Sequence, residues 1–297
     1  MKVSGFTFVR NAIILDYPVE QSIRSVLPLV DDFVVAVGRS DDDTLDLIRK
    51  IDPEKIKIIE TEWDENLRRE GKVLADETNK AFRAVPEDSD WAFYIQADEV
   101  IHEDDYENIR RAMQRYQDCP QVDGLLFDYI HFYGSYDWVG AAYSWYRHEV
   151  RIIRNDKNIY SYRDAQGFRK HNGQKLRVVP AGARIFHYGW VRDPRAMERK
   201  QRIFTDFWNE EGNTRPDMQT ERSFDYGAEQ RTLIPFKGRH PRIMQERIRQ
   251  KNWPFQPPAG YQQWHWKDRL KAWVEKHTGY YIGFKNYKKI NPAKCGK

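Results

Sequence analysis

Cysteine is scarce in this chain: its 297 residues include two, Cys119 and Cys295, and no Cys-x-x-Cys spacing. That argues against a disulfide framework and a cysteine-built zinc site, and it suits a reducing compartment. Long apolar runs are missing as well. Nowhere do 18 apolar residues follow one another, so no segment reads as a membrane-spanning helix. Met1-Lys2-Val3-Ser4-Gly5-Phe6 enters a strand-like pattern without the apolar core of a signal peptide, and the expected location is cytoplasmic. There is no Gly-x-x-x-x-Gly-Lys-Ser/Thr loop and no Gly-x-Gly-x-x-Gly after the first strand-like run. P-loop chemistry and the dinucleotide fingerprint are therefore set aside.

What is present is the material of a folded protein, 40% hydrophobic and 14% aromatic, enough to build a core. The net charge of +4 conceals two unlike parts. Residues 231–297 carry 16 Lys+Arg against 3 Asp+Glu, which leaves 33 against 42 for residues 1–230. The two parts face different electrostatic tasks.

The first half alternates strand-like and helix-like segments. Strands are expected at Val3–Val9, Phe33–Val37, Lys55–Glu60 and Trp91–Ile95, with helices at Val19–Val30, Thr44–Ile51 and Lys72–Ala84 between them. Parallel strands need crossover connections, so this order implies an α/β fold with a mostly parallel sheet and helices on both faces. Ligands of such sheets bind beyond the carboxyl ends of the strands. After a helix at Asp104–Tyr116, strand-like runs at Gly124–Phe132, Glu149–Arg154 and Arg177–His187 imply a smaller mixed or antiparallel extension. Further helices are expected at Asp193–Trp208 and Tyr261–His277.

Asp98 and Glu99 directly follow the fourth strand-like run. Desolvated neighbouring carboxylates repel unless a cation, a proton or hydrogen bonds relieve them. Spacing alone leaves two roles open for Asp98, ligation of a hard divalent cation or capping of a turn. The aromatic segment from Phe127 to Trp138 offers rings for sugar faces, and Asp128, Tyr129 and Trp138 are the expected acceptor contacts. Strand packing is the competing reading of those rings.

Taken together, Phe8-Val9-Arg10-Asn11, Gly38-Arg39-Ser40-Asp41-Asp42-Asp43-Thr44, Glu70-Gly71-Lys72 with Thr78-Asn79, and Trp91-Ala92-Phe93-Tyr94-Ile95-Gln96-Ala97-Asp98-Glu99 resemble family-2-like glycosyltransferases of the GT-A fold. The resemblance covers roughly the first 100 residues. It implies a Rossmann-like GT-A catalytic domain over residues 1–212, followed by a basic, aromatic-rich extension over 213–297. It implies sugar transfer from a nucleoside diphosphate donor to a hydroxyl of a glycan or lipid-linked acceptor, with inversion. Donor contacts would come from Val9, Arg10, Asn11, Gly38, Arg39, Ser40, Lys72, Gln96, Ala97 and Asp98. Mn²⁺ or Mg²⁺ would be held by Asp98, with His187 as a further ligand, and Arg192 is another cation that could face the phosphates. Asp164 would be the catalytic base, with Asp128 and Asp137 as rivals. Two departures matter. Gln96 replaces the first carboxylate of the usual Asp-x-Asp motif, and Val37-Gly38 stands where an Asp often reads the nucleoside, which leaves the donor base open.

Gln96 also motivates a second reading, a catalytically inactive GT-A-like protein that binds a glycan or nucleotide. The basic tail, with Trp253, Trp264, Trp266 and Trp273, matches no defined nucleic-acid motif. Peripheral contact with an anionic membrane is the expectation for it.

Overall fold

The computed structural model describes residues 1–67, 69–208, 222–227, 232–257, 259–261, 264–278, 281–283 and 285–291. In chain order the elements are β1 (Val3–Val9), α1 (Val19–Val26), β2 (Asp32–Gly38), α2 (Thr44–Arg49), β3 (Ile56–Thr61), α3 (Lys72–Arg83), β4 (Trp91–Tyr94), β5 (Glu99–Ile101) and α4 (Tyr106–Arg115). There follow β6 (Gly124–Tyr133), β7 (Ser135–Gly140), β8 (His148–Arg154), β9 (Ile159–Tyr162), β10 (Gly167–Lys170), β11 (Arg177–Trp190), α5 (Pro194–Trp208), β12 (Leu233–Pro235), α6 (Gln245–Arg249), α7 (Trp266–Thr278) and β13 (Lys288–Lys289).

The main sheet runs β12-β7-β6-β8-β4-β1-β2-β3, and β11 joins it along β6. Strands β3, β2, β1 and β4 are mutually parallel, with Val9 opposite Val37 and Phe6 opposite Tyr94. Their period-2 side chains feed two cores. Val3, Val9, Phe33, Val35, Trp91 and Phe93 face Ile23 of α1, Ile48 of α2 and Ile109 of α4. Phe6, Val34, Ala36 and Tyr94 face Ala81 and Phe82 of α3. Side chains buried on both faces explain the near-continuous apolar runs of these strands. The second half is mixed: β8 is antiparallel to β4 and β6, whereas β11 lies parallel to β6. These features match the α/β class expected from the sequence, a Rossmann-like parallel half with helices on both faces and a mixed extension.

The short strands β5, β7, β9, β10, β12 and β13 were not foreseen. The first of them matters for the site, because β5 pairs antiparallel with β11 and sets Glu99 opposite His187. The boundary expected at residue 212 lies outside the described residues, as does Cys295. Beyond it, β12 pairs with β7, β13 pairs with β11, and Met244 is fully buried. The last long helix begins at Trp266 rather than at Tyr261.

Candidate active site

The parallel strands end side by side, and the loops that leave them are tied together. Asn11 adopts a left-handed φ of 54°, which asparagine tolerates. Its backbone N–H donates to Ser40 Oγ at 3.0 Å, and its side chain exchanges hydrogen bonds with Asp41 at 3.1 and 2.7 Å. Trp63, just past β3, packs on Gly38, where an added Cβ would come within 2.3 Å of the indole nitrogen. Arg10 stacks over the Trp63 ring at 5.5 Å. One wall of the crevice thus consists of Arg10, Asn11, Gly38, Ser40 and an indole that sequence reading did not single out.

The acidic pair divides. Asp98 lies between β4 and β5 and is 7% exposed. Its Oδ2 meets Lys200 Nζ at 3.2 Å and Arg192 Nη2 at 3.8 Å, while Oδ1 faces His187 Nε2 at 3.8 Å. Burial would raise this carboxyl, but Lys200, then His187 and Arg192, outweigh it and hold Asp98 well below the usual carboxylate range. Burial also pushes the Lys200 ammonium down to about 8, with Arg192 adding to the effect and Asp98 opposing it.

His187 is oriented by His131. Burial depresses both imidazoles, so both are neutral near pH 7. His131 Nε2 lies 2.6 Å from the Tyr146 carbonyl, which can only accept, so that nitrogen carries the proton. His131 Nδ1 is then an acceptor, and His187 Nδ1, at 3.0 Å, must donate to it. The lone pair of His187 Nε2 is left aimed at Asp98 Oδ1, too far away to be a hydrogen bond. An imidazole fixed in this way by a second group is how proteins present a histidine to a metal ion. Gly189 leaves the space clear: a Cβ there would sit 2.6 Å from His187 Nε2 and 2.9 Å from Asp98 Oδ2. One carboxylate, one oriented imidazole and the cradle left by Gly189 fit a divalent cation with oxygen and nitrogen ligands.

Glu99 turns the other way. Arg151 grips it in a two-pronged pair at 2.8 Å on each oxygen, both side chains fully buried. Tyr129 donates its hydroxyl to the same carboxylate at 2.7 Å. Gln96 spans the gap: its backbone N–H reaches Glu99 at 3.1 Å, and its side chain reaches the Ala165 carbonyl at 3.3 Å. That second bond, with Arg151 donating to the Gln166 carbonyl at 3.0 Å, holds the 163–166 loop against the crevice. Arg163 and Ala165 take left-handed φ values of 55° and 61° in that loop, a conformation uncommon for such residues that the surrounding contacts must maintain. Asp164 between them abuts Gly71, the left-handed residue that opens α3. Burial raises its carboxyl.

Glu149 had no role in the sequence reading, yet it is 1% exposed and its Oε2 has no hydrogen-bond partner among the described residues. Burial first of all, with Glu99 and Asp164 adding and Arg151 opposing, pushes its carboxyl up to about 8. The folded protein therefore keeps this proton after the unfolded chain, at 4.5, has lost it. The Glu149 contribution to stability must then fall as pH rises from about 4.5 to about 8 and stay level above that. Glu149→Gln removes this dependence. Urea unfolding across pH should find the variant more stable than the parent at pH 8.5, by on the order of a few kcal/mol, with the gap closing near pH 4.5. A gap that does not change with pH would refute this account.

The remaining expected site residues are scattered. Val9 buries its side chain in the core below the crevice. Lys72 is exposed at the start of α3, Ala97 is half-buried beside Asp98, and the Arg39 side chain is 85% exposed beside Glu62. Asp128 is exposed on β6 and pairs with His148 at 2.8 Å. Asp137 is exposed on β7. The ring contacts of Trp138 run to Tyr261, whereas those of Tyr129 run to His131, Tyr146 and His187. The three acceptor candidates therefore do not form one cluster. Lys200 was legible in principle, because it shares the buried face of α5 with Ala196 and Met197 at i+4 and i+3 spacing. A cleft of about 590 Å³ lined by Asp90, Asp123, Arg154, Lys170 and Arg177 opens where β4 begins, at the other end of the strand from Asp98, and contains none of the expected site residues.

No family model and no curated protein matches this sequence. Among solved structures, it is similar to Staphylococcus aureus TarS, with 13% identity over 69% of this chain and 39% of that chain, at a TM-score of 0.40. A structure of residues 1–349 of TarS matches at 13% identity over 70% of this chain and 65% of that one, with a TM-score of 0.37. Glucosyl-3-phosphoglycerate synthase from Mycobacterium tuberculosis, in complex with Mn²⁺, uridine diphosphate and phosphoglyceric acid, matches at 19% identity over 44% and 43% of the two chains, with a TM-score of 0.29. In each case this chain spans less than two thirds of the matched protein.

Proposed function

We propose that this chain is a nucleotide-sugar-dependent glycosyltransferase of the GT-A type, moving a sugar to a hydroxyl of a glycan or lipid-linked saccharide. The observation that carries the reading is the Asp98 cluster. A carboxylate balanced by Lys200 and Arg192 faces the oriented lone pair of His187, at the carboxyl end of a central parallel strand. Ligand sites of such sheets lie there.

In this reading Asp98 and His187 hold Mn²⁺ or Mg²⁺, which when bound supplies positive charge to the departing diphosphate. Arg10, Asn11, Gly38, Ser40 and Trp63 line the nucleoside side. Lys72 and the amino end of α3, a helix of 12 residues, offer a cation and backbone donors to phosphate oxygens. Gln96 contributes position rather than charge, since its amide holds the Asp164 loop. Asp164 takes the proton from the acceptor hydroxyl, and the raised affinity for protons that burial gives it suits a general base. Inversion is proposed on the resemblance alone.

The test is a panel of UDP-, GDP-, CMP- and dTDP-sugars with and without Mn²⁺, read by thermal shift and by hydrolysis or transfer of labelled sugar. One nucleotide class should raise the unfolding temperature, by the equivalent of about 2.7 kcal/mol at a ligand concentration roughly a hundred times its Kd, and should turn over. A shift without turnover across a broad acceptor panel would favour the inactive binding protein that Gln96 motivates. No shift with any donor would dismiss both.

A further inference from the structure

Helix α7 is built with its polar side inward. Asp268 accepts a hydrogen bond from the Tyr143 backbone at 3.3 Å, and Glu275 accepts from the Tyr143 hydroxyl and from Arg147 at 3.2 Å. These are the only two acids of the helix, and both are spent on the loop before β8. On the opposite side Trp266, Leu270 and Trp273, at i, i+4 and i+7, are 65, 56 and 58% exposed. That spacing makes one apolar stripe. Lys267, Arg269 and Lys276 are exposed too, and a rotation of about 100° per residue puts them along its two borders.

An apolar stripe bordered by cations, on a helix whose acids are turned away, is the pattern of a helix lying in the plane of a membrane interface. The basic residues upstream do not present a comparable surface. Arg239 meets Asp104 at 2.7 Å, Arg242 lies 3.7 Å from Glu103, and Arg247 pairs with Asp16. Trp253 and Trp264, named with Trp266 and Trp273 in the sequence, are only half-exposed or less. Among the described residues, the exposed indoles Trp266 and Trp273 thus share α7 with the exposed cations Lys267, Arg269 and Lys276. A nucleic-acid strand would want stackable rings along a groove, whereas here Leu270 separates the two indoles on a convex helix.

We propose that α7 docks on an anionic lipid surface, with Trp266, Leu270 and Trp273 entering the headgroup region and Lys267, Arg269 and Lys276 meeting lipid phosphates. The helix packs on residues next to Tyr146, whose carbonyl anchors His131. A bilayer there would flank the site and suit a lipid-carried acceptor. That consequence rests on the glycosyl-transfer reading; the lipid contact does not.

Sedimentation of the full chain with phosphatidylcholine vesicles, and with phosphatidylcholine mixed with phosphatidylglycerol, tests the contact without any assay of transfer. The mixed vesicles should bind at least about tenfold more tightly, and added salt should weaken the binding. Trp266→Ser/Leu270→Ser/Trp273→Ser and Lys267→Glu/Arg269→Glu/Lys276→Glu should each cost about tenfold or more, with circular dichroism and unfolding temperature unchanged because these side chains are exposed. Failure to bind either vesicle, equal binding to both, or a serine variant that binds like the parent would overturn the proposal. So would binding that survives the serine variant and is displaced by single-stranded RNA.

Discussion

Asp98→Asn is expected to lower kcat/KM for the proposed sugar transfer by about 10²–10³-fold, the usual consequence of removing a charge-stabilising group from a desolvated site. The amide also leaves Lys200 and Arg192 without their common anion, and Arg192 is fully buried. A loss of activity could therefore come from misfolding. Asp98→Asn/Lys200→Met separates the two effects: it removes one surplus cation and should recover much of the unfolding temperature. Transfer should stay low and Mn²⁺ affinity should stay weak, because the proposed ligand is gone. If Asp98→Asn folds and transfers sugar as the parent does, Asp98 has no part in the reaction. If the double variant recovers both stability and transfer, Asp98 only balances charge.

The second large effect is on stability. Glu99→Ala removes the only carboxylate among the described residues that pairs with Arg151, a guanidinium fully buried among Tyr94 and Tyr129, with rings 5.2 and 5.3 Å from it. Breaking a buried pair from one side costs about 3–5 kcal/mol, because the remaining charge stays desolvated. The pair itself contributes far less than that figure suggests. Glu99→Leu/Arg151→Met should therefore be closer to the parent than Glu99→Ala is. Urea unfolding of the three proteins decides the matter, and a Glu99→Ala cost under about 1 kcal/mol would mean that Arg151 finds water or another anion. The 163–166 loop gives a second readout. Arg151 donates to the Gln166 carbonyl, so proteolysis at that loop should quicken in Glu99→Ala.

Much of the fold was legible because parallel strands buried on both faces are written locally. Phe33–Val37 and Trp91–Ile95 are unbroken apolar runs, and the helices between the strands carry helical spacing. The short strands were not legible. Three residues such as Glu99–Ile101 hold no periodic signal, and only pairing with β11 makes them a strand. The site divides along the same line. Asp98 could be singled out because a carboxylate after a buried strand needs an explanation. Glu149 and Trp63 could not, because a glutamate opening a strand and a tryptophan in a loop are ordinary as local sequence, whereas Lys200 betrays itself only by falling on the apolar face of its helix.

The sequence by itself determined the α/β order, the carboxylate at 98, the neutral amide at 96 and a basic, aromatic carboxyl-terminal part. Those follow from periodicity, residue type and charge, none of which depends on distant neighbours. Only the tertiary structure decided which partner each group received. It sent Glu99 to Arg151 and Asp98 to Lys200, fixed the proton of His187 through His131, and turned the acids of α7 inward so that its indoles face out. Partners separated by 52, 56 and 102 residues meet only when the sheet closes. The charge state and orientation of a buried group depend on what it meets there.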